Sequence, residues 1–327
     1  MSDALVSPAV AVTAGAVAVA LVATAAVRLK REYTPHTLPM MGVLGAFVFA
    51  AQMLNFAIPG TGSSGHLVGG VLLAAMLGPW AAFLTLTAVL TLQCLLFADG
   101  GLMALGCNIL NMAAVSCLVV YPLLFRPVAG PAMSFGRMSL AAVVSCVMAL
   151  LLGSAAVTLE TEMSGVTALP TPTFLGFMLP IHMVIGLVEG VATALVLGVV
   201  RRAEPAMLET LSRDVETTAR PARPVMTLAV VAVVAVACAA WIPTVASEWP
   251  DGLEWSLLRT AETENPSAEP SAMSAAAASV VSATALLPDY KGALAGVIGA
   301  LILVTVAFVV AWAVRSPWPR RRKRDGR

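Results

Sequence analysis

Long apolar runs, interrupted by glycine, proline and small clusters of charge, occupy most of the chain. A helix needs about 20 apolar residues to cross the hydrocarbon core of a bilayer. On that measure the runs predict spans over residues 8–27, 40–58, 66–78, 80–97, 102–125, 136–158, 172–200, 225–243 and 292–314. The expected fold is an all-α membrane protein, a polytopic helical bundle of about nine transmembrane helices. The third span is short, and Gly78-Pro79 separates it from the fourth. Irregular backbone at membrane depth is tolerated only inside protein or beside a cavity. The glycine-rich stretch ahead of that span should therefore be shielded by other helices. The first run lacks a basic leading segment and a cleavage site, so it reads as a permanent helix.

Basic residues orient the spans. One set of alternate loops holds 17 of the 19 Lys and Arg residues, among them Arg28, Lys30, Arg31, Arg126, Arg137, Arg201 and Arg202. The other side holds Arg259 and Lys291. Lys and Arg accumulate in cytoplasmic loops, which places the rich side inside and the N-terminus outside. Asp3, Asp99, Glu160, Glu162 and the carboxylates of residues 244–290 then fall on the outer side, where they would concentrate divalent cations. Composition supports the membrane reading: with 59% hydrophobic and 11% charged residues, the chain cannot cover a water-facing surface. Its cysteines all lie in apolar runs without metal-spaced pairs and read as small buried hydrophobes.

The pattern divides the chain into a membrane domain (1–202), a polar cytoplasmic linker (203–224) and a last unit (225–327) with two spans around an outer loop. Residues 262–285, rich in Ala, Ser, Glu and Pro, read as flexible. The Arg320–Arg324 run fits a stop at an anionic inner leaflet and calls for no nucleic acid.

Candidate chemistry centres on His66, which comes after Pro59, Gly60, Gly62 and Gly65 and stands where the chain re-enters an apolar run. A neutral imidazole at such a mouth can bind a transition metal, or it can simply hydrogen-bond to a nearby carbonyl. Ionisable groups within spans are costly and hence candidates for function. His182 and Glu189 are seven residues apart, two helical turns, and share one face. Glu189 could pair with another helix, relay a proton, touch a metal or lock the bundle by a hydrogen bond. Asn108, Asn111 and Gln93 suit interhelical hydrogen bonding. Gln52 and Asn55 do too, and being nearest His66 in sequence they are better placed to orient it.

No phosphate-binding loop or dinucleotide fingerprint is present, so the chain is not expected to hydrolyse ATP, and a transport role coupled to ATP would require separate ATPase subunits. Two other readings use the same residues. One is a secondary divalent-cation transporter with Glu189 as proton relay. The other is an intramembrane metal-dependent hydrolase with zinc at His66, His182 and Glu189, although the His-Glu-x-x-His signature is missing.

Several motifs carry a family resemblance. Phe47-Val-Phe-Ala-Ala-Gln-Met-Leu-Asn-Phe56, a Gly/Ser loop, and Ser64-Gly-His-Leu-Val-Gly-Gly70 resemble the CbiM/NikM family, as do Leu77-Gly-Pro-Trp-Ala-Ala82, Leu96–Gly106 and His182–Gly190. The resemblance spans roughly residues 3–200. It implies the substrate-binding membrane component of an energy-coupling-factor (ECF) transporter in a prokaryotic plasma membrane. The cargo would be Co2+ or Ni2+, with no permanently bound cofactor. The implied partners are a transmembrane T component (CbiQ/NikQ-like) and a pair of ABC ATPases (CbiO/NikO-like). Pro250-Asp-Gly-Leu-Glu-Trp255 and Leu287-Pro-Asp-Tyr-Lys291 resemble the PDGLE-type, CbiN/NikN-like module, here fused to the chain.

In the family the metal is held by an N-terminal Met-His pair and by the imidazole matching His66. The ligands are the terminal amine, the next amide nitrogen and two imidazoles, a planar nitrogen set that suits Ni(II) and Co(II). This chain begins Met1-Ser2-Asp3, and Asp3–Pro8 matches the residues that come after that pair. Either the start lies two residues upstream, with Met1 marking where the amine end enters, or this chain binds its metal differently or not at all.

Overall fold

The computed structural model describes residues 1–32, 37–131, 133–167, 169–203, 207–208, 233, 246–261, 271–288, 297–302 and 304–305. All of the expected span 225–243 but Val233, most of 292–314, most of the linker, Cys238 and the Arg320–Arg324 run lie outside them.

Among the described residues before 204, a short 3-10 turn at Asp3–Leu5 precedes seven longer helices and a small hairpin: α1 (Pro8–Glu32), α2 (Thr37–Gln52), β1 (Phe56–Ile58), β2 (Ser63–Gly65), α3 (Gly70–Leu77), α4 (Pro79–Phe97), α5 (Leu105–Ala129), α6 (Phe135–Ser164) and α7 (Thr171–Ala203). Between Ile109 and Phe125, α5 is wound as a π-helix. Two short helices come later in the chain, α8 (Gly252–Thr260) and α9 (Ala272–Thr284).

Among the described residues, α1, α4, α5, α6 and α7 are the five helices long and apolar enough to cross a membrane. The expected spans 40–58 and 66–78 are shortened, for identifiable reasons. α2 stops at Gln52, and residues 56–65 turn back as an antiparallel hairpin that pairs Phe56 with Gly65 and Ile58 with Ser63. Pro59 and the positive φ angles of Gly60 (80°) and Gly62 (75°) form its turn. Gly69, at φ 76°, then keeps the helix from starting before Gly70. His66 thus stands on a loop between β2 and α3.

Bulky apolar side chains fill the interior. Phe49, Phe83, Phe97, Tyr121 and Phe125 are fully buried, and the rings of Phe49 and Phe97 lie 5.3 Å apart. Exposed side chains of the long helices, such as Val19, Leu140, Leu152, Leu195 and Val199, are apolar as lipid contact requires. The most extensive helix pairing joins α6 to α7. Gly186 and Gly190, one turn apart on α7, meet the backbone at Val147 and Val143 of α6 so closely that an added Cβ would stand 2.7 and 2.5 Å from their Cα atoms. Without a hydrophobic force between helices in lipid, such small-residue contacts let dispersion hold the pair.

Part of the stretch expected to be flexible, residues 262–285, is helical. In α9, Ser271 Oγ accepts the Ser274 N–H (3.1 Å) ahead of an alanine-rich sequence of high helix propensity. The buried cysteines Cys94, Cys107, Cys117 and Cys146 are free, in keeping with their apolar surroundings.

Gly190→Leu should force α6 and α7 apart and destabilise the detergent-solubilised protein by about 1–3 kcal/mol. A thermal melt compared with that of the parent measures this, and an unchanged midpoint would contradict the close approach.

Candidate metal centre

A cavity of about 120 Å3 lies among the hairpin loop, α5, α6, α7 and the start of α8. Its lining includes Met1, His66, Asn108, Asn111, His182, Glu189 and Asp251.

The loop that carries His66 is held from two sides. Glu189, 2% exposed, accepts the N–H groups of Val68 (2.8 Å) and Gly69 (3.0 Å) on separate oxygens. An ionised carboxylate accepts at both oxygens, so this arrangement satisfies it within the bundle. From the other side, Gln52 Nε2 donates to the Val68 carbonyl (2.8 Å), and Gln52 Oε1 accepts from Gln93 Nε2 (2.8 Å). The loop backbone is therefore paired by side chains where no neighbouring strand is available.

His66 is half-buried, and its Nδ1 lies 3.3 Å from the Leu67 carbonyl oxygen. A carbonyl only accepts, so in the neutral imidazole Nδ1 carries the hydrogen and Nε2 the lone pair. That tautomer is the one a metal-binding imidazole uses when its other nitrogen is tied down. Both sequence-level possibilities for His66, carbonyl partner and available ligand, are thus compatible in one geometry.

The amine end of the described chain reaches the same cavity. The Met1 carbonyl accepts from Gly101 N (3.1 Å) and Asn108 Nδ2 (3.3 Å), and Asp3 Oδ1 accepts the Ala104 N–H (3.0 Å). Asn111 Nδ2 donates to Glu160 Oε2 (2.7 Å). Glu160, expected in an outer loop, lies instead within α6, which runs past the expected end of its span to Ser164.

The Pro250–Trp255 segment packs against the hairpin. Ser64 N donates to the Pro250 carbonyl (2.8 Å) and Ser64 Oγ to the Trp249 carbonyl (2.7 Å). Ser247 N donates to the Asn55 carbonyl (2.6 Å), and Trp255 Nε1 to the Thr61 carbonyl (3.0 Å). Asp251 Oδ1 caps α8 by accepting the Glu254 N–H (2.8 Å). Burial, and then the neighbouring Asp251 carboxylate, raise the Glu254 carboxyl above its ordinary range.

Met1, His66, His182 and Glu189 therefore line one cavity, while Gln52 acts on the loop from outside it. Asn55 does not line it, and contributes its backbone carbonyl to the Ser247 contact. Asp251 was missed as a cavity residue, since nothing local in its sequence signals that it meets α7. Among the described residues no three His, Cys, Asp or Glu side chains gather as a metal-binding group, so the zinc trio of the hydrolase reading is not assembled.

Comparison with known proteins settles the family. Residues 1–207 match the CbiM family, described as the cobalt uptake substrate-specific transmembrane region. The chain belongs to the CbiM family. Residues 225–316 match the PDGLE domain. The cobalt transport protein CbiM of Sorangium cellulosum is 31% identical over 185 residues, 56% of this chain and 82% of that protein. The fused nickel transport protein NikMN of Rhodobacter capsulatus is 40% identical over 92 residues, 28% of this chain and 26% of that protein. A protein of Archaeoglobus fulgidus is 39% identical over 177 residues; the match covers 52% of this chain and 55% of that protein's length. The crystal structure of a truncated transition metal transporter superposes with a TM-score of 0.55 at 28% identity, covering 62% of this chain and 98% of that one. This CbiM-family chain is a multi-pass membrane protein, with relatives named for cobalt and nickel transport.

Glu189→Ala would leave the Val68 and Gly69 N–H groups without their acceptor and should destabilise the protein by roughly 3 kcal/mol. Thermal denaturation in detergent checks this. Hydrogen exchange at residues 66–70 should also accelerate, and unchanged exchange there would contradict the clamp.

Proposed function

We propose that this chain is the substrate-specific component of an ECF-type transporter, capturing Co2+ or Ni2+ at the outer face of a prokaryotic inner membrane. Import would proceed with a separate T component (CbiQ/NikQ-like) and ABC ATPase subunits (CbiO/NikO-like). The observation that carries the reading is His66: its Nε2 is available, in a cavity that the amine end of the chain also reaches. Residues 1–202 would form the binding domain and 203–224 a cytoplasmic linker. Residues 225–327 would form a CbiN/NikN-like module, with the N-terminus and residues 244–290 outside.

His66 would supply one metal ligand, and the amine end the others. A Met-His pair ahead of Met1 would enter the cavity beside Asn108 and complete a planar nitrogen set. A terminal amine, the next amide nitrogen and the next imidazole bind as one preorganised chelate, an advantage that separate ligands lack. Glu189 and Gln52 would act indirectly, by fixing the backbone two and three residues beyond His66. Glu189 is less suited to a proton relay, because both of its oxygens already accept backbone N–H groups.

His66→Ala should abolish high-affinity binding of Ni2+ and Co2+ while the protein still inserts and accumulates. Equilibrium titration of the purified protein with each ion measures it, and parental affinity in the variant would overturn the assignment. The proposed amine-end chelate has its own check, the intact mass of the protein isolated from its native host. A protein that begins at Met1 or Ser2 and transports either ion normally would exclude the Met-His contribution.

A further inference from the structure

His182 and Asp251 line the same cavity, and the proposed cargo site uses neither side chain. His182 Nδ1 lies 2.8 Å from the Met178 carbonyl oxygen, an obligate acceptor, so in the neutral imidazole Nδ1 bears the hydrogen and Nε2 the lone pair. The cavity thus holds a second imidazole in the same state as His66. Asp251 approaches from the PDGLE turn. Its Oδ1 caps α8, and Oδ2 takes no part in that bond. Gly252, the residue after Asp251, packs closely against α7. A Cβ on Gly252 would come within 3.0 Å of Ile185 Cδ1 and 3.2 Å of His182 Cε1, so the backbone of the turn rests against the imidazole edge.

We propose that His182 and Asp251 form a transit site for a divalent transition-metal ion, which receives Ni2+ or Co2+ before the ion passes to His66. This rests on the metal-import reading above. One imidazole nitrogen and one carboxylate oxygen suit a borderline divalent ion. With only two protein donors and water in the remaining positions, the site holds its ion weakly. Among the described residues no third His, Cys, Asp or Glu side chain completes it. Weak binding is what passage requires, since an ion must leave a waypoint as readily as it enters. The PDGLE module would then contribute a donor as well as a cover.

A waypoint differs from a resting ligand in its kinetics. By microscopic reversibility, removing a waypoint slows association and dissociation by the same factor and leaves the equilibrium unchanged. Removing a resting ligand weakens the equilibrium itself.

The test is stopped-flow binding of Ni2+, and separately Co2+, to the full chain in nanodiscs. The variants are His182→Gln and Asp251→Asn. Asparagine is as good a helix cap as aspartate, so α8 should persist without the carboxylate. Both variants should bind about tenfold more slowly, release the ion more slowly by the same factor and keep the parental Kd. The slowing should persist at high salt, which screens mere attraction by the Asp251 charge. Should His182→Gln not accumulate, Asp251→Asn, which lies outside the spans, decides alone.

Parental rates in the variants overturn the transit site and leave the His66 reading standing, as does slowing that vanishes at high salt. A hundredfold loss of affinity with unchanged association also overturns it, by placing these residues in the resting site. A parent protein that binds neither ion overturns the import reading, and the transit site with it.

Discussion

Glu189 is buried in the bundle with each oxygen accepting one backbone N–H, from Val68 and from Gly69. A carboxylate taken out of water costs several kcal/mol unless its lone pairs are met, and an unpaired N–H at that depth is costly as well. Each side cancels the other's penalty here. The loop between β2 and α3 can leave regular structure inside the bundle because a carboxylate receives it, and the carboxylate can stay because the loop is there. Gln52 and Gln93 extend the arrangement by binding the Val68 carbonyl. His66 inherits its position from these contacts, being two residues from the nearest clamped N–H.

A similar rule governs the hairpin. A two-stranded ribbon leaves an outer edge with unpaired groups, and within or near a bilayer such an edge must be covered. The PDGLE segment covers it: Ser64 N–H reaches the Pro250 carbonyl, and Ser247 N–H reaches the Asn55 carbonyl. Trp255 adds its indole N–H to the Thr61 carbonyl and packs edge-on against Phe177, with ring centres 5.6 Å apart. A segment some 185 residues distant in sequence therefore completes the backbone hydrogen bonding of the loop region that ends in His66.

These contacts explain what the sequence could and could not reveal. The long spans were legible because about 20 apolar residues have few other uses. His66 stood out as a polar residue at the mouth of an apolar run, and His182 and Glu189 as costly groups on one helical face. The hairpin escaped notice because Phe56, Ala57 and Ile58 extend the apolar run of α2, and three residues carry no readable period. Glu189's partners were unreadable for a different reason: they are backbone N–H groups, which carry no side-chain signature. α9 was read from composition as flexible, although Ser271 ahead of an alanine run is also a helix start. Asp251 needed tertiary structure, since its role depends on a turn folding back onto α7.

The attachment of the donors also bears on how a captured ion could be released. Under the proposed function, His66 rides on a clamped loop, and the amine end is held through Met1 by Gly101 and Asn108. Each is fixed by a few hydrogen bonds at the cavity wall, while α6 and α7 beneath them are joined along their length by close packing. Packed helix pairs tend to move as rigid units, and local openings draw on segments with few buried apolar contacts. Withdrawing any one donor-bearing segment would leave the ion with an incomplete ligand set and lower its affinity without unfolding the bundle. A site assembled from separately tethered pieces can therefore bind tightly when closed and release when one tether moves, which a transport cycle requires and a rigid single-element site would not provide.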